Sequence, residues 1–436
     1  MSSGGTNRHD PLAALRQPSF AIFATSRLTS AMGMTLVQAT IAWQVYQVSH
    51  SALQLGLVGL IQFVPALLGL SLLGGAFADS HDRRTIAALA QLAPLATSGA
   101  LLVAITVGSV ELPLIYAVVL VMALASAFEN PARQALLISV VRRETFQNAV
   151  TVNTTVQQLG FVTGPAVGGL LIAASGVGAA YVAHVVLVAS SLVALLLLRP
   201  LPREGEPRKV SLEAIKEGVQ FVLSRQVLLG AMTLDMFAVI FGGAAALLPI
   251  YATDILGVGS VGFGLLAASL DVGAFAMSVG LVFLPPIQRT GRALLIAVAG
   301  FGLFTIVFGF SRWFPLSLLA YMMVGASDQI SVVMRHTTVQ LATPDELRGR
   351  VTSVSQLFIG ASNQLGRVES GFMAAATTAT FAVVSGGAGC LAVLGAVAGW
   401  MPELRRYEVS AEASHSVATA AAAEREEEEE TATAAG

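Results

Sequence analysis

The sequence predicts an all-α membrane protein with twelve transmembrane helices, arranged as two parallel six-helix repeats. Three observations predict it. Hydrophobic residues make up 55% of the chain and charged residues only 11%, about half the charged share of a soluble domain. Charges are absent from long blocks: between Gln17 and Ala78 only Arg27 is charged, and between Thr145 and Leu198 nothing is. The basic residues that remain fall on alternate connections.

A stretch of roughly 20 apolar residues crosses a bilayer, and in lipid a helix satisfies its own backbone polar groups. Turn signals and charge clusters divide the chain into spans at roughly 19–46, 54–78, 85–107, 112–134, 146–174, 178–198, 226–251, 261–287, 293–310, 313–336, 351–372 and 378–400. Arg and Lys concentrate on cytoplasmic connections. With the N-terminus inside, 21 of the 24 basic residues fall in inside segments, Arg133 and Arg335 among them, and the outside turns hold only Arg312. One missed span would break this alternation, so both termini are expected in the cytoplasm of a bacterial inner-membrane protein.

These divisions give five regions: a cytoplasmic N-terminal segment (1–18), a six-helix half (19–198), a cytoplasmic linker (199–225), a second six-helix half (226–402) and a tail (403–436). In the linker, Leu212, Ile215, Val219 and Val222 recur at helical spacing with Glu213, Lys216, Glu217 and Gln220 between them. That pattern is an amphipathic surface helix. The tail is rich in Ala, Thr and Glu and contains Glu426–Glu430 in a row; such a tract repels itself and buries nothing, so disorder is expected.

The halves echo each other. Arg133 and Arg335 are each followed eleven residues later by a glutamate, Glu144 and Glu346. Val150-Thr151 has its counterpart in Val351-Thr352, and Gln158-Leu159-Gly160 in Gln364-Leu365-Gly366. The offsets of 202, 201 and 206 residues match spans of the same orientation, as parallel repeats require.

Three motifs carry a family resemblance. The loop after the second span reads Gly74-Gly75-Ala76-Phe77-Ala78-Asp79-Ser80-His81-Asp82-Arg83-Arg84. Gly75, Ala78, Asp79, Arg83 and Arg84 match the signature loop of the major facilitator superfamily, with Phe77, Ser80 and Asp82 departing from it. The fifth span carries Gly160, Gly164, Pro165, Gly168 and Gly169 in the pattern Gly-x-x-x-Gly-Pro-x-x-Gly-Gly, which resembles the motif of drug–proton antiporters in that superfamily. Its small residues permit close helix packing. In the second half, Arg335, then Arg348-Gly349-Arg350, then Glu369-Ser370-Gly371 resemble the branch that contains enterobactin exporters and macrolide efflux proteins; Arg367 stands where an acidic residue is expected. The likeness covers roughly residues 15 to 407. It implies the major facilitator fold, a latch between the halves at Gly75–Arg84, and export.

An ionisable side chain within a span costs about 2.5–3.5 kcal/mol on insertion scales, so it faces a cavity or a partner. Arg27, Glu129, Asp235, Asp271, Asp328, Arg367 and Glu369 are such residues. The resemblance places the first, fourth, seventh and tenth spans around a central cavity, and with them Arg27, Glu129, Asp235 and Asp328. A carboxylate there can load and release a proton as water reaches it. Asp235, close to the midplane, is the expected coupling residue, with Arg27 as its partner and Asp271 as the next candidate. His184 is expected to pack or to face the lumen.

The chain is therefore expected to be a secondary transporter, a proton-coupled antiporter that exports siderophores, macrolides or similar amphipathic molecules. A nutrient symporter or facilitator, or a non-transporting sensor or scaffold, is the alternative. Enzymatic function is not expected: the chain contains no Gly-x-x-x-x-Gly-Lys-Ser/Thr, His-Glu-x-x-His or Gly-x-Ser-x-Gly sequence. The single Cys390 rules out a disulfide framework or thiolate metal cluster. No cofactor or metal is expected. The expected partners are a small-molecule substrate, protons and the bilayer, with no nucleic acid, and the chain is expected to act as a monomer.

Overall fold

A computed structural model describes residues 14–70, 74, 77, 81–141, 145–198, 212–285 and 287–408. Gly75 and Asp79 of the signature loop, Glu144, the start of the linker and the acidic tail lie outside the described residues.

The spans appear where the hydropathy places them. They are α1 (Pro18–Ser49), α2 (Ala52–Leu67), α3 (Arg83–Val107), α4 (Leu112–Ser139), α5 (Phe146–Ser175) and α6 (Val177–Leu197) in the first half. The second half holds α7 (Gln226–Phe241), α8 (Gly259–Phe283), α9 (Thr290–Phe310), α10 (Phe314–Leu341), α11 (Asp345–Ala376) and α12 (Ala379–Trp400). Ten of the spans are long and apolar enough to cross a membrane, α7 counting with its continuation to Ile255. The two that fall short do so for different reasons. Only 16 residues of α2 are described as helix, and α11 is 32 residues long but studded with Gln, Asn, Ser and Arg. Such a polar span is stable only if it turns its polar side away from lipid. The amphipathic linker helix forms at Leu212–Ser224 and packs its Val222 against Val351 and Val354 of α11.

Local chemistry sets several ends. Pro18 stands in the first turn of α1, where its missing N–H costs nothing. Asp82 caps α3: its carboxylate accepts from the backbone N–H of Arg84 (3.3 Å) and Thr85 (3.2 Å) and from the Thr85 hydroxyl (2.5 Å). Partial burial opposes ionisation of that carboxyl, but these hydrogen bonds and the Arg84 charge outweigh it and hold the pKa below the ordinary value. The residue that departs from the signature loop thus acts as a helix cap. Beyond Phe241 the seventh span loses regularity, passing through short turns at Ala244–Leu247 and Tyr251–Ile255.

Two seams join the halves, α2 against α11 and α5 against α8. They are exchanged by the repeat, since α2 corresponds to α8 and α5 to α11. Small residues make both close. A Cβ added at Gly371 would meet the Gly56 backbone N at 2.6 Å, and one added at Gly169 would meet Ser260 O at 2.5 Å. Further bridges cross between halves near the same end: Tyr46 donates to Asp254, Trp43 packs on Phe263 with ring centroids 5.3 Å apart, and Arg367 Nη1 donates to Gln62 (2.9 Å). All of these lie on the half of the bundle away from the arginine-rich connections.

At the basic end the halves diverge. Asn130, Gln134, Thr151, Thr155, Gln356 and Asn363 are exposed on α4, α5 and α11. Polar side chains exposed within spans mark a water-filled vestibule. The molecule is closed at one face and open at the basic one.

Candidate central cavity

The vestibule leads into a cavity of about 440 Å³. It belongs almost wholly to the first half; among the described residues, Gln364 of α11 is the one from the second half that lines it. Its wall carries seven carboxamides (Gln38, Gln62, Gln91, Asn130, Gln134, Gln157 and Gln364), the apolar side chains of Met34, Met122 and Phe161, and two charges, Arg27 and Glu129. Sequence reasoning named the charges and missed the amides, although a Gln or Asn inside an apolar span is itself the signal.

A buried network sets the floor. Glu129 Oε1 accepts from Arg133 Nε (2.6 Å), Gln91 Nε2 (3.1 Å) and Ser30 (3.3 Å). Arg133 also donates to Ser26 (3.0 Å) and Ser191 (2.9 Å). The helical spacing of four residues puts Glu129 and Arg133 on one face of α4, and the arginine reaches α1 and α6. The sequence places Arg133 at the inside end of a span expected at roughly 112–134; the helix continues to Ser139, which leaves Arg133 1% exposed inside α4. Arg27 Nη2 donates to Gln157 Oε1 of α5 (2.6 Å). His184 lines the cavity, 1% exposed, with Nδ1 2.7 Å from the Ser98 hydroxyl.

The second half repeats the plan with different partners. Arg335, likewise at the inside end of its expected span, is 3% exposed within α10. Its Nε lies 3.2 Å from Asp235 Oδ1, an ion pair by distance whose N–H points off the hydrogen-bond line. Its Nη1 reaches Ser355 at 3.5 Å. In each half the arginine of the fourth helix therefore contacts the first helix, at Ser26 and at Asp235. This corrects the expected pairing of Asp235 with Arg27. Each faces its own half, and Asp235 is not among the residues lining the central cavity. Asp328 does not line it either; it stands on α10 within Coulombic reach of Asp235, Arg335 and Asp271.

Asp271 has a different setting. It lines a second compartment of about 180 Å³ near the closed face, built by both halves together with Arg367 and Tyr321. Gln38 and Gln62 border both cavities. Across the seam, Gln158 Nε2 donates to the Asp271 carbonyl (3.3 Å) and reaches its carboxylate at 3.5 Å.

The remaining motif residues serve packing and anchoring. Gly160, Gly164 and Gly168 press α5 on α1: a Cβ at Gly160 would lie 2.7 Å from that of Ala31. Gly169 turns to α8, as does the carbonyl of Pro165, 2.6 Å from a Cβ added at Gly264. Arg83 donates to Ala135 O (2.9 Å) and Arg84 to Leu196 O. Arg350 Nη1 pairs with Glu217 of the linker helix (2.6 Å), while Arg348 and Gly349 lie exposed beside it. Glu369 accepts from Ser370 (3.2 Å).

Comparison with known proteins agrees with this architecture. Residues 9–431 match the family model described as transmembrane secretion effector. The enterobactin exporter EntS of Escherichia coli O1:K1 is 24% identical over 394 residues, 89% of this chain and 93% of that protein. Among solved structures, a bacterial homologue of the lysosomal transporter Spinster aligns with TM-score 0.68 at 14% identity, over 90% of this chain and 97% of that one. The nucleoside transporter NupG aligns with TM-score 0.66 at 13% identity, over 88% and 98%.

Proposed function

The chain belongs to the transmembrane secretion effector family of major facilitator transporters, and we propose that it is a proton-coupled exporter of amphipathic small molecules, working by alternating access. The observation that carries this reading is the polar 440 Å³ cavity, open at the basic face and sealed at the other. By the distribution of basic residues the open face is cytoplasmic, with both termini inside and the chain in a bacterial inner membrane. The geometry then corresponds to an exporter ready to load from the cell. The likeness to an enterobactin exporter supports the direction and a siderophore-like cargo.

Coupling requires a side chain that changes charge where both faces can reach it. Glu129 and Asp235 each lie beside an arginine, at 2.6 and 3.2 Å. Asp271 instead meets the neutral Gln158 across the seam, in a compartment bounded by both halves. A proton at Asp271 alters a contact that bridges the two halves in this closed-face arrangement, which would link protonation to opening. Asp271 is thus the coupling carboxylate in this reading.

Two experiments test the proposal. A reporter fused after Arg405 is expected to be active only in the cytoplasm, and one placed in the Val107–Leu112 turn only outside; reversed signals would contradict the orientation. Cells overproducing the chain are expected to lose a preloaded amphipathic dye faster than control cells, with the difference abolished by a protonophore. Equal rates of loss would refute export.

A further inference from the structure

The charges around the large cavity do not balance, and the imbalance says what it binds. Arg27 and Glu129 are the two charged residues on its wall. Among the described residues, Arg133 and Glu129 are the charged groups that act on Arg27. Glu129 is already engaged: its Oε1 takes hydrogen bonds from Arg133 at 2.6 Å, Gln91 at 3.1 Å and Ser30 at 3.3 Å. Two guanidinium groups therefore share one carboxylate, and Arg133, nearer and fully buried, holds it. Arg27 is left with a neutral partner, Gln157, at 2.6 Å. A cation in a cavity of low dielectric is stabilised by a counter-anion far more than the same cation in water is. A guanidinium offers five donors, suited to a carboxylate or another oxyanion.

The amides add a second requirement. Gln91 Oε1 and Gln364 Oε1 are buried with no protein hydrogen-bond partner, and both residues line the cavity from opposite halves. A buried acceptor without a donor costs about 1–3 kcal/mol; both oxygens are shut off from solvent, so the hydroxyl or N–H groups of a ligand remove that cost by drawing the carboxamides toward the cavity. Met34, Met122 and Phe161 supply adaptable apolar contact. The volume lies within the range of about 300–1,000 Å³ that suits a drug-sized ligand.

We infer that the cavity selects amphipathic organic anions rich in hydroxyl or N–H donors, with Arg27 as the charge-recognising residue, and discriminates against cations of the same size. The inference rests on reading this cavity as the export site. It divides the cargo classes above: acidic, oxygen-rich chelators fit, and molecules carrying a basic amine do not.

The test uses the purified full-length chain in detergent and two xanthene dyes of similar size and opposite charge, fluorescein (anionic) and rhodamine 6G (cationic), with binding read by fluorescence anisotropy. Wild type is expected to bind fluorescein at least about tenfold more tightly, one decade being about 1.4 kcal/mol. Arg27→Gln is expected to erase the preference and Arg27→Lys to keep most of it. Wild type that binds the two dyes equally, prefers rhodamine 6G or binds neither would overturn the inference, whatever the variants do. So would an Arg27→Gln variant that keeps the preference. Dye efflux from proteoliposomes made with the same protein separates the two levels. Efflux without anion preference sinks the inference and leaves export standing; anion preference without efflux sinks export and leaves the binding site standing.

Discussion

Asp271→Asn is expected to convert the protein from a pump into a passive pore for its substrate. One charge moving through 100 mV is worth about 2.3 kcal/mol, enough to hold a substrate gradient of about fifty-fold. If Asp271 is the residue whose charge changes in each cycle, the asparagine variant loses that source and its gradient falls to about one. The shape of the side chain is retained, and its oxygen can still accept from Gln158, which lies 3.5 Å from the carboxylate. Downhill exchange and ligand binding should therefore survive. Uphill accumulation and downhill exchange, measured in one proteoliposome preparation, separate coupling from folding. A variant that still concentrates substrate would show that the coupling proton is carried elsewhere, with Asp328 the next carboxylate to examine.

Gly371→Leu is expected to stop transport by a different route. At the α2–α11 seam the two backbones touch, and a Cβ at this position would lie 2.6 Å from Gly56 N and 3.1 Å from Ala52 O. Those atoms are backbone and cannot rotate away. Overpacking of this kind costs about 1–3 kcal/mol, which lowers the ratio of closed to open forms by about five- to 150-fold. The outer face should then stand open. The check is labelling of a cysteine at Leu55, which is 3% exposed beneath the closure and lines the smaller compartment, with a membrane-impermeant maleimide. Background is low because the one native cysteine, Cys390, is buried. Labelling should rise and transport fall by at least about fivefold, the lower end of that energy. Gly280→Leu serves as control, since a Cβ there meets nothing within 4 Å. Unchanged labelling in Gly371→Leu would mean that the seam need not be tight for the outer face to close.

The sequence-based division into spans agrees with the helices to within a few residues at most ends, because a bilayer imposes length and apolarity on every segment regardless of neighbours. The amphipathic linker was equally legible from its period. The low hydropathy of α11 reads as weakness in a one-dimensional profile and as a cavity wall in three dimensions. Arg133 and Arg335 stand at the last turn of their expected spans, where a basic residue normally reaches the cytoplasmic surface. The helices run on to Ser139 and Leu341, and buried serines and carboxylates receive the two arginines inside. Pairing was harder still. Hydropathy and the repeat give depth and equivalence but not the azimuth of a side chain around its helix, so Arg27 and Asp235, repeat equivalents 208 residues apart, are expected as partners from sequence alone. In the structure each turns into its own half. The glycines of α5 were read as a packing face, but their division between α1 and α8 depends on the second half, which no local pattern encodes.

The most direct test of the account is substrate movement by the purified chain in proteoliposomes, with a proton gradient imposed and no nucleotide present. An amphipathic organic anion such as fluorescein should move against its own gradient, toward the side from which protons enter, and should stop moving when a protonophore collapses the gradient. Movement that never exceeds equilibration, or that is indifferent to the proton gradient, would contradict proton-coupled export.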